Sequence, residues 1–314
     1  MKKVLITGAT GFAGKYLLDY LSTLDDYSIV GTTFSTLPEN TPNAKYVKLD
    51  LNVSSDVTKC IQELLPDEIY HLAALTSPAE SIKNPAPTIS NNITSQVNLL
   101  EAVKNSPNPR ARILIISSAD VYGKVAESDI PIDESTPLMP LNPYAISKIS
   151  QDFLALQYFL AYEMNIIRVR PFNHIGPGQE PKFVVPAFAR QIAQIEKDPS
   201  RAVIKVGNLD AKKDFSDVRD IVIGYHMLMQ KGRPGEVYNM GSGRSIKIAD
   251  ILGKLLAMAR LEIVVEKDSS LFRPLETPDF VCDSTKMLTE TGWTPKISLD
   301  QSLKDTLDYW RKVL

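Results

Sequence analysis

The stretch KVLITGATGFAG, residues 3–14, sets an apolar run directly before Gly8, Gly11 and Gly14 at intervals of three. Tyr16, Leu17, Tyr20 and Leu21 then recur at helical spacing. A strand that passes into a helix through three glycines commits the chain to a tight strand–turn–helix unit. Gly8 permits the turn, Gly11 lets the backbone approach a pyrophosphate, and Gly14 lets the helix pack closely on the sheet. The helix N-terminus adds a field that favours phosphate charge. The spacing G-x-x-G-x-x-G differs by one residue from the dinucleotide fingerprint, and its place between strand and helix gives it its weight.

Short apolar runs and amphipathic stretches keep alternating through the first half. Strands are predicted at 3–7, 28–33, 46–49, 68–73, 112–117 and 165–169, with helices at 11–21, 54–64, 88–104 and 143–163. That alternation implies parallel strands joined by crossover helices. The expected class is α/β: a Rossmann-type doubly wound parallel sheet over residues 1–170. After Arg170 the regularity loosens, and residues 171–314 read as a smaller C-terminal α/β lobe for substrate, with some crossing of the chain between the two.

With 314 residues, 44% of them hydrophobic, the chain can bury a large core. Its 35 basic and 37 acidic residues leave a net charge of -2, which offers no footprint for nucleic acid and no polybasic patch for a membrane. No apolar stretch approaches the roughly 20 residues of a membrane span. Thr7 and Gly8 also interrupt the N-terminal apolar run well short of a signal peptide. Cys60 and Cys282 lie far apart without metal spacing, so no metal and a reducing, cytoplasmic setting are expected.

NPYAISK places Tyr144 and Lys148 four residues apart, on one face of a helix. An ammonium beside a phenol lowers the phenol pKa, because the cation stabilises the phenolate. Tyr144 is then suited to exchange a proton with a hydroxyl or carbonyl oxygen. Upstream, ISSADVYG sets Ser118 at a strand end, with Asp120 two residues later. Asp120 reads either as a pocket carboxylate or as an Asx-type turn residue.

The glycine turn, Ser118 and the Tyr144/Lys148 pair together resemble the extended short-chain dehydrogenase/reductase superfamily. That resemblance implies that Ser118 polarises the reacting oxygen, Tyr144 transfers the proton, and Lys148 also holds the nicotinamide ribose. It implies cofactor contacts from Gly8, Gly11, Phe12, Gly14, Tyr144 and Lys148. Asp50 and Leu51 resemble the family's adenine-contacting pair, and Leu72, Ala73 and Ala74, after His71, its nicotinamide-side strand end. His71 itself is expected to serve structure and cofactor packing. The second strand ends GTTFST, without the Asp or Glu that an NAD site offers the adenosine ribose. Thr33 and its neighbours offer hydroxyls instead, so NADP(H) is favoured and NAD(H) stays open.

In the second half, RPFNHIGPGQ, VGNLDAKKDFSDVRD and LFRPLETPDF resemble the GDP-mannose branch of that superfamily, with its 4,6-dehydratases and its GDP-6-deoxy-4-keto-mannose reductases. A GDP-hexose substrate is implied. Arg273 is suited to grip its diphosphate in bidentate fashion and Glu276 to accept ribose hydroxyls. Asn173 would donate to phosphate or sugar, and Lys213 would add a point charge where the branch often carries an Arg fork. His174 is a turn histidine or a site neighbour, and His226 has no motif around it.

The branch's dehydratases carry Thr and Glu where this chain has Ser118 and Asp120, and a C5–C6 elimination needs that acid in reach. Asp120 is one methylene shorter. The expectation is therefore an NADP(H)-dependent reductase that takes GDP-4-keto-6-deoxy-D-mannose to GDP-rhamnose. A GDP-mannose 4,6-dehydratase, a nucleotide-sugar 4-epimerase and a non-catalytic dinucleotide-binding regulator are its alternatives. The resemblance further implies a homodimer built on the helices at 88–104 and 143–163.

Overall fold

The computed structural model describes residues 1–35, 37–38, 44–271 and 279–314. The first half runs β1 (Lys2–Thr7), α1 (Phe12–Ser22), β2 (Tyr27–Thr33), β3 (Ala44–Lys48), α2 (Ser54–Leu64) and β4 (Glu68–His71). It continues with α3 (Pro78–Lys83), α4 (Pro85–Lys104), β5 (Arg112–Ile116), α5 (Pro143–Tyr162) and β6 (Ile166–Pro171). The second half holds β7 (Asn173–Ile175), α6 (Val184–Lys197), β8 (Val203–Val206), β9 (Lys212–Asp217), α7 (Val218–Lys231) and β10 (Val237–Met240). It ends with β11 (Ser245–Lys247), α8 (Ile248–Ala257), β12 (Val264–Lys267), α9 (Thr285–Thr291) and α10 (Leu299–Val313).

Seven strands form one sheet in the order β10-β6-β5-β4-β1-β2-β3. Every pairing in it is parallel, with Leu5 opposite Val30 on one side and Ile69 on the other. This is the Rossmann-type doubly wound sheet expected from the strand–helix alternation. β1 alternates its buried side chains between two cores. Val4 and Ile6 pack with residues of α1 and α7, while Leu5 packs with residues of α2, α4 and α5. β10 comes from the second half of the chain yet forms the sheet's outer strand beside β6. The remaining strands make two small sheets, β11-β9-β7 and β12-β8, over a third core supplied largely by α6, α8 and α10.

Most boundaries shift by one or two residues from the predicted ones, and two of the shifts have a clear local reason. The helix predicted at 88–104 begins three residues earlier, at Pro85, because a proline at the first helical position gives up a hydrogen bond that position lacks anyway. The strand predicted at 68–73 stops at His71. Beyond it Ala73 turns against the backbone of Gly8, whose φ is +70°.

One buried ion cluster ties α5 to the sheet. Asp152, fully buried, accepts from Arg168 at 2.6 Å and from Arg170 at 2.8 Å, both on β6. Arg170 also donates to the Tyr122 hydroxyl, which in turn reaches Asn239 on β10.

Candidate active site

Several parallel strands of the large sheet end on one cleft of about 2160 Å³. β1 and β4 lie side by side there, and the winding reverses between them. Such a switch point is where open α/β sheets take ligands. The cleft is lined by Gly8, Gly11, Phe12, Gly14, Thr33, Asp50, Leu51, Leu72, Ala73 and Ala74 at one end. Ser118, Asp120, Tyr144, Lys148, Asn173 and Lys213 line the rest. The fold thus brings together residues from widely separated parts of the sequence. Arg273 and Glu276 lie outside the described residues.

At the glycine turn, a side chain on Gly8 would place its Cβ 2.9 Å from Ala73 Cα, and one on Gly14 would overlap the Gly8 carbonyl. The turn exists only because both lack a Cβ, and it leaves bare backbone at the start of α1. At the end of β2, Thr10 donates to Thr33 across 3.3 Å, and Thr32 accepts from the Gly8 amide. An adjoining pocket of about 570 Å³ is lined by Thr10, Lys15, Asp19, Ser35 and Tyr46. Lys15 is a basic group at the β2 end that sequence reading missed. It sits one residue past the last glycine of the turn, where nothing in the local pattern sets it apart from a solvent-facing lysine.

NHIGPGQ lines the cleft, and part of it packs against the glycine turn. The His174 ring lies parallel to Phe12 with centroids 6.0 Å apart. Tyr16 donates its hydroxyl to the Pro177 carbonyl at 2.8 Å, and Gln179 donates to the His174 carbonyl. His226 lies between Tyr20 and Tyr27, outside the cleft lining. His71 is buried, with Nδ1 2.9 Å from the Thr7 hydroxyl, and burial pushes its pKa down to about 3.

At the reacting end, Ser118 starts a short 3₁₀ turn, Ala119–Val121, and accepts from the Asp120 amide at 3.1 Å. Asp120 thus takes part in the turn and also lines the cleft. Its charge lies near enough to Tyr144 to raise the phenol's pKa. The Asn142 side chain caps α5, and the Tyr144 amide donates to Ser81 of α3.

The expected lowering of the Tyr144 pKa by Lys148 is not found. Burial, followed by the Asp120 charge, holds the phenol well above its ordinary value, while the Ser118 hydroxyl pulls the other way. The Lys148 ammonium is turned elsewhere. Its Nζ donates to the Ile116 carbonyl at 2.8 Å and to Gln151 Oε1 at 2.9 Å, and burial pulls its pKa down to about 7.

In the lobe, Asn173 gives one amide hydrogen to the Asp214 carbonyl, and Lys213 holds its ammonium 5.0 Å from the centre of the Phe280 ring. Arg190 of α6 also lines the cleft, and its Nε has no hydrogen-bond partner among the described residues. Sequence reading passed over it because it sits in an ordinary amphipathic helix. Among the described residues no cluster of His, Cys, Asp or Glu is placed to hold a metal, and no helix is long and apolar enough to cross a membrane.

Comparison with known proteins adds to this geometry. A family model described as GDP-mannose 4,6 dehydratase matches residues 5–306. A GDP-6-deoxy-D-mannose reductase of Pseudomonas aeruginosa is 35% identical over 309 residues, covering 98% of this chain and 97% of its own length. A GDP-mannose 4,6-dehydratase of Yersinia enterocolitica is 27% identical, covering 96% of this chain and 91% of its own. Among solved structures, RMD from Pseudomonas aeruginosa complexed with NADPH superimposes with a TM-score of 0.87 at 33% identity, covering 100% of both chains.

Proposed function

The chain belongs to the GDP-mannose 4,6-dehydratase family of extended short-chain enzymes, and within it we propose an NADPH-dependent reductase of GDP-4-keto-6-deoxy-D-mannose, with GDP-rhamnose as product. The observation that carries this reading is the end-to-end likeness, at 35% identity, to a GDP-6-deoxy-D-mannose reductase. Ser118 and Asp120, in place of Thr and Glu, point the same way.

The residues fit a nicotinamide dinucleotide. The Gly8/Gly14 turn offers bare backbone to a pyrophosphate at a helix N-terminus. The hydroxyls of Thr10 and Ser35 and the ammonium of Lys15 line one pocket at the β2 end, which suits a 2′-phosphate. When bound, the reduced nicotinamide supplies hydride to the sugar C4. The chain's own residues do the rest. Ser118 donates to the C4 oxygen and polarises the carbonyl. Tyr144, held protonated by burial and by Asp120, delivers the proton that turns the developing alkoxide into a hydroxyl. Lys148, when charged, stabilises the phenolate left behind and holds ribose hydroxyls. Asn173, Lys213 and Arg190 face the diphosphate and sugar from the lobe.

α5 leaves Ile146, Phe153 and Leu160 exposed at seven-residue intervals, an apolar stripe consistent with a homodimer packed on α4 and α5. The two free cysteines fit a cytoplasmic enzyme.

The test is an incubation with GDP-4-keto-6-deoxymannose and NADPH, and separately with GDP-mannose. NADPH oxidation only with the keto sugar, giving a 6-deoxyhexose by NMR, is the expected result. Conversion of GDP-mannose to the keto sugar with no net change in NADPH would establish a dehydratase.

A further inference from the structure

Lys148 is held by a residue that the reaction does not use. Gln151 lies one turn along α5, fully buried, and its Oε1 accepts from Lys148 Nζ at 2.9 Å. The orientation of this amide is fixed from behind, because its Nε2 donates to the Asn92 carbonyl at 2.9 Å. An NH₂ group that faces a carbonyl leaves only the amide oxygen for the ammonium. Gln96 holds the Gln151 backbone carbonyl at 2.7 Å. Asn92 is itself pinned, accepting from the Leu75 amide at 2.7 Å and donating to Ser147 at 2.9 Å. Asn92, Gln96 and Gln151 are all fully buried. Gln96 Oε1 has no partner among the described residues, but the bonds from Gln96 and to Asn92 hold Gln151 at both its backbone and its amide.

We infer that Gln151 is a positioning residue for Lys148, holding its ammonium in a resting position at the end of β5, from which it must swing to serve ribose and the phenolate. Gln151 and the Ile116 carbonyl accept two of the three ammonium protons, and the third remains for the cleft. The groups facing this ammonium or Tyr144 are few. His71 of β4 is neutral, Asp120 comes from the 3₁₀ turn, and Tyr225 from α7. On α5 itself Asp152 is already engaged by Arg168 and Arg170. No carboxylate bonds to Lys148 among the described residues, so burial lowers its pKa with only neutral acceptors, the Gln151 oxygen among them, to oppose it.

The kinetic part of the test rests on the reductase reading, because reduction needs Lys148 charged. Its activity is present below the lysine pKa and falls as pH rises through it. Gln151→Glu places a carboxylate at the amide's position, and the alkaline limb of the kcat–pH profile should move up by about one unit or more. Gln151→Met removes the acceptor at similar size, and the limb should move down. A limb that stays put in Gln151→Glu while the variant melts like the wild type overturns the inference.

Thermal melting against pH gives a readout independent of turnover. A lysine whose folded pKa lies below its unfolded value gives stability that rises between the two. The wild type should therefore gain Tm relative to Gln151→Glu from about pH 7 upward. If the wild type turns over no keto sugar but this difference appears, the reductase reading fails and the role of Gln151 stands. If the difference is absent as well, Gln151 does not govern the lysine.

Discussion

The rings of Phe12 and His174 lie parallel, 2° between their planes, and join the glycine turn to the segment after β7. A cofactor seated on that turn, as proposed above, would thereby be tied to the second half of the chain. Removing the ring in His174→Ala takes away a contact of about 0.5–1.5 kcal/mol. The expected result is a rise in the NADPH KM of roughly 2- to 12-fold with kcat almost unchanged, measured by initial rates at saturating sugar nucleotide.

Tyr144→Phe keeps the ring and loses the proton donor. Turnover should fall by about 10²–10⁴-fold, while NADPH binding, followed by nicotinamide fluorescence, stays within about twofold, since the variant removes one hydroxyl. A wild type that binds NADPH as this variant does, and is equally inert with every sugar nucleotide, would be a dinucleotide-binding regulator.

Asp120→Asn separates the reductase reading from the dehydratase one. The charge on Asp120 raises the Tyr144 pKa, so neutralising it lowers that pKa and leaves the phenol protonated at neutral pH. A reductase should keep kcat within about tenfold of the wild type, because no general acid–base step has been removed. An elimination that depended on this carboxylate would lose 100-fold or more, by the same order of magnitude.

Lys15→Ala tests the pocket beside β2. A charge-assisted hydrogen bond contributes about 1.5–3 kcal/mol. The NADPH KM should rise by roughly tenfold or more, and the NADH KM should not move. Equal effects on both cofactors would place the 2′-phosphate elsewhere.

His71 carries a pH dependence of stability. Its folded pKa, about 3, lies below its ordinary value of 6.5, so the unfolded chain takes up the proton first. Stability is full above pH 6.5 and falls as pH drops toward 3, by about 1.4 kcal/mol per unit from this one group. The fall, read by urea midpoints across that range, should be shallower in His71→Gln.

The sheet and the shared helix face of Tyr144 and Lys148 were legible because their signals are local. Gly8 and Gly14 mark a turn that no other residue allows, and Tyr144 and Lys148 share a helix face by spacing alone. What was hidden depends on tertiary contact. Nothing in NHIGPGQ tells that His174 lies against Phe12 of the glycine turn. Nothing in a four-residue spacing tells that the lysine turns away toward Ile116 and Gln151, and so the pKa expected for Tyr144 came out with the wrong sign. Lys15 and Arg190 sit at unremarked helix positions whose neighbours come from elsewhere in the chain.

The late arrival of β10 has a consequence for how the protein is made. The outer strand of the sheet is residues Val237–Met240, while its partner β6 is complete at Pro171. At about 5–20 residues per second, a ribosome takes roughly 3–14 s to synthesise the interval. Through that time β6 is an unpaired strand edge on a nascent chain, the kind of edge that invites pairing with a neighbour. Asp152 precedes β6 in the chain and already grips Arg168 and Arg170, so the strand can be anchored to α5 before its last partner exists. That buried ion cluster is a tether available to β6 well before β10 is synthesised.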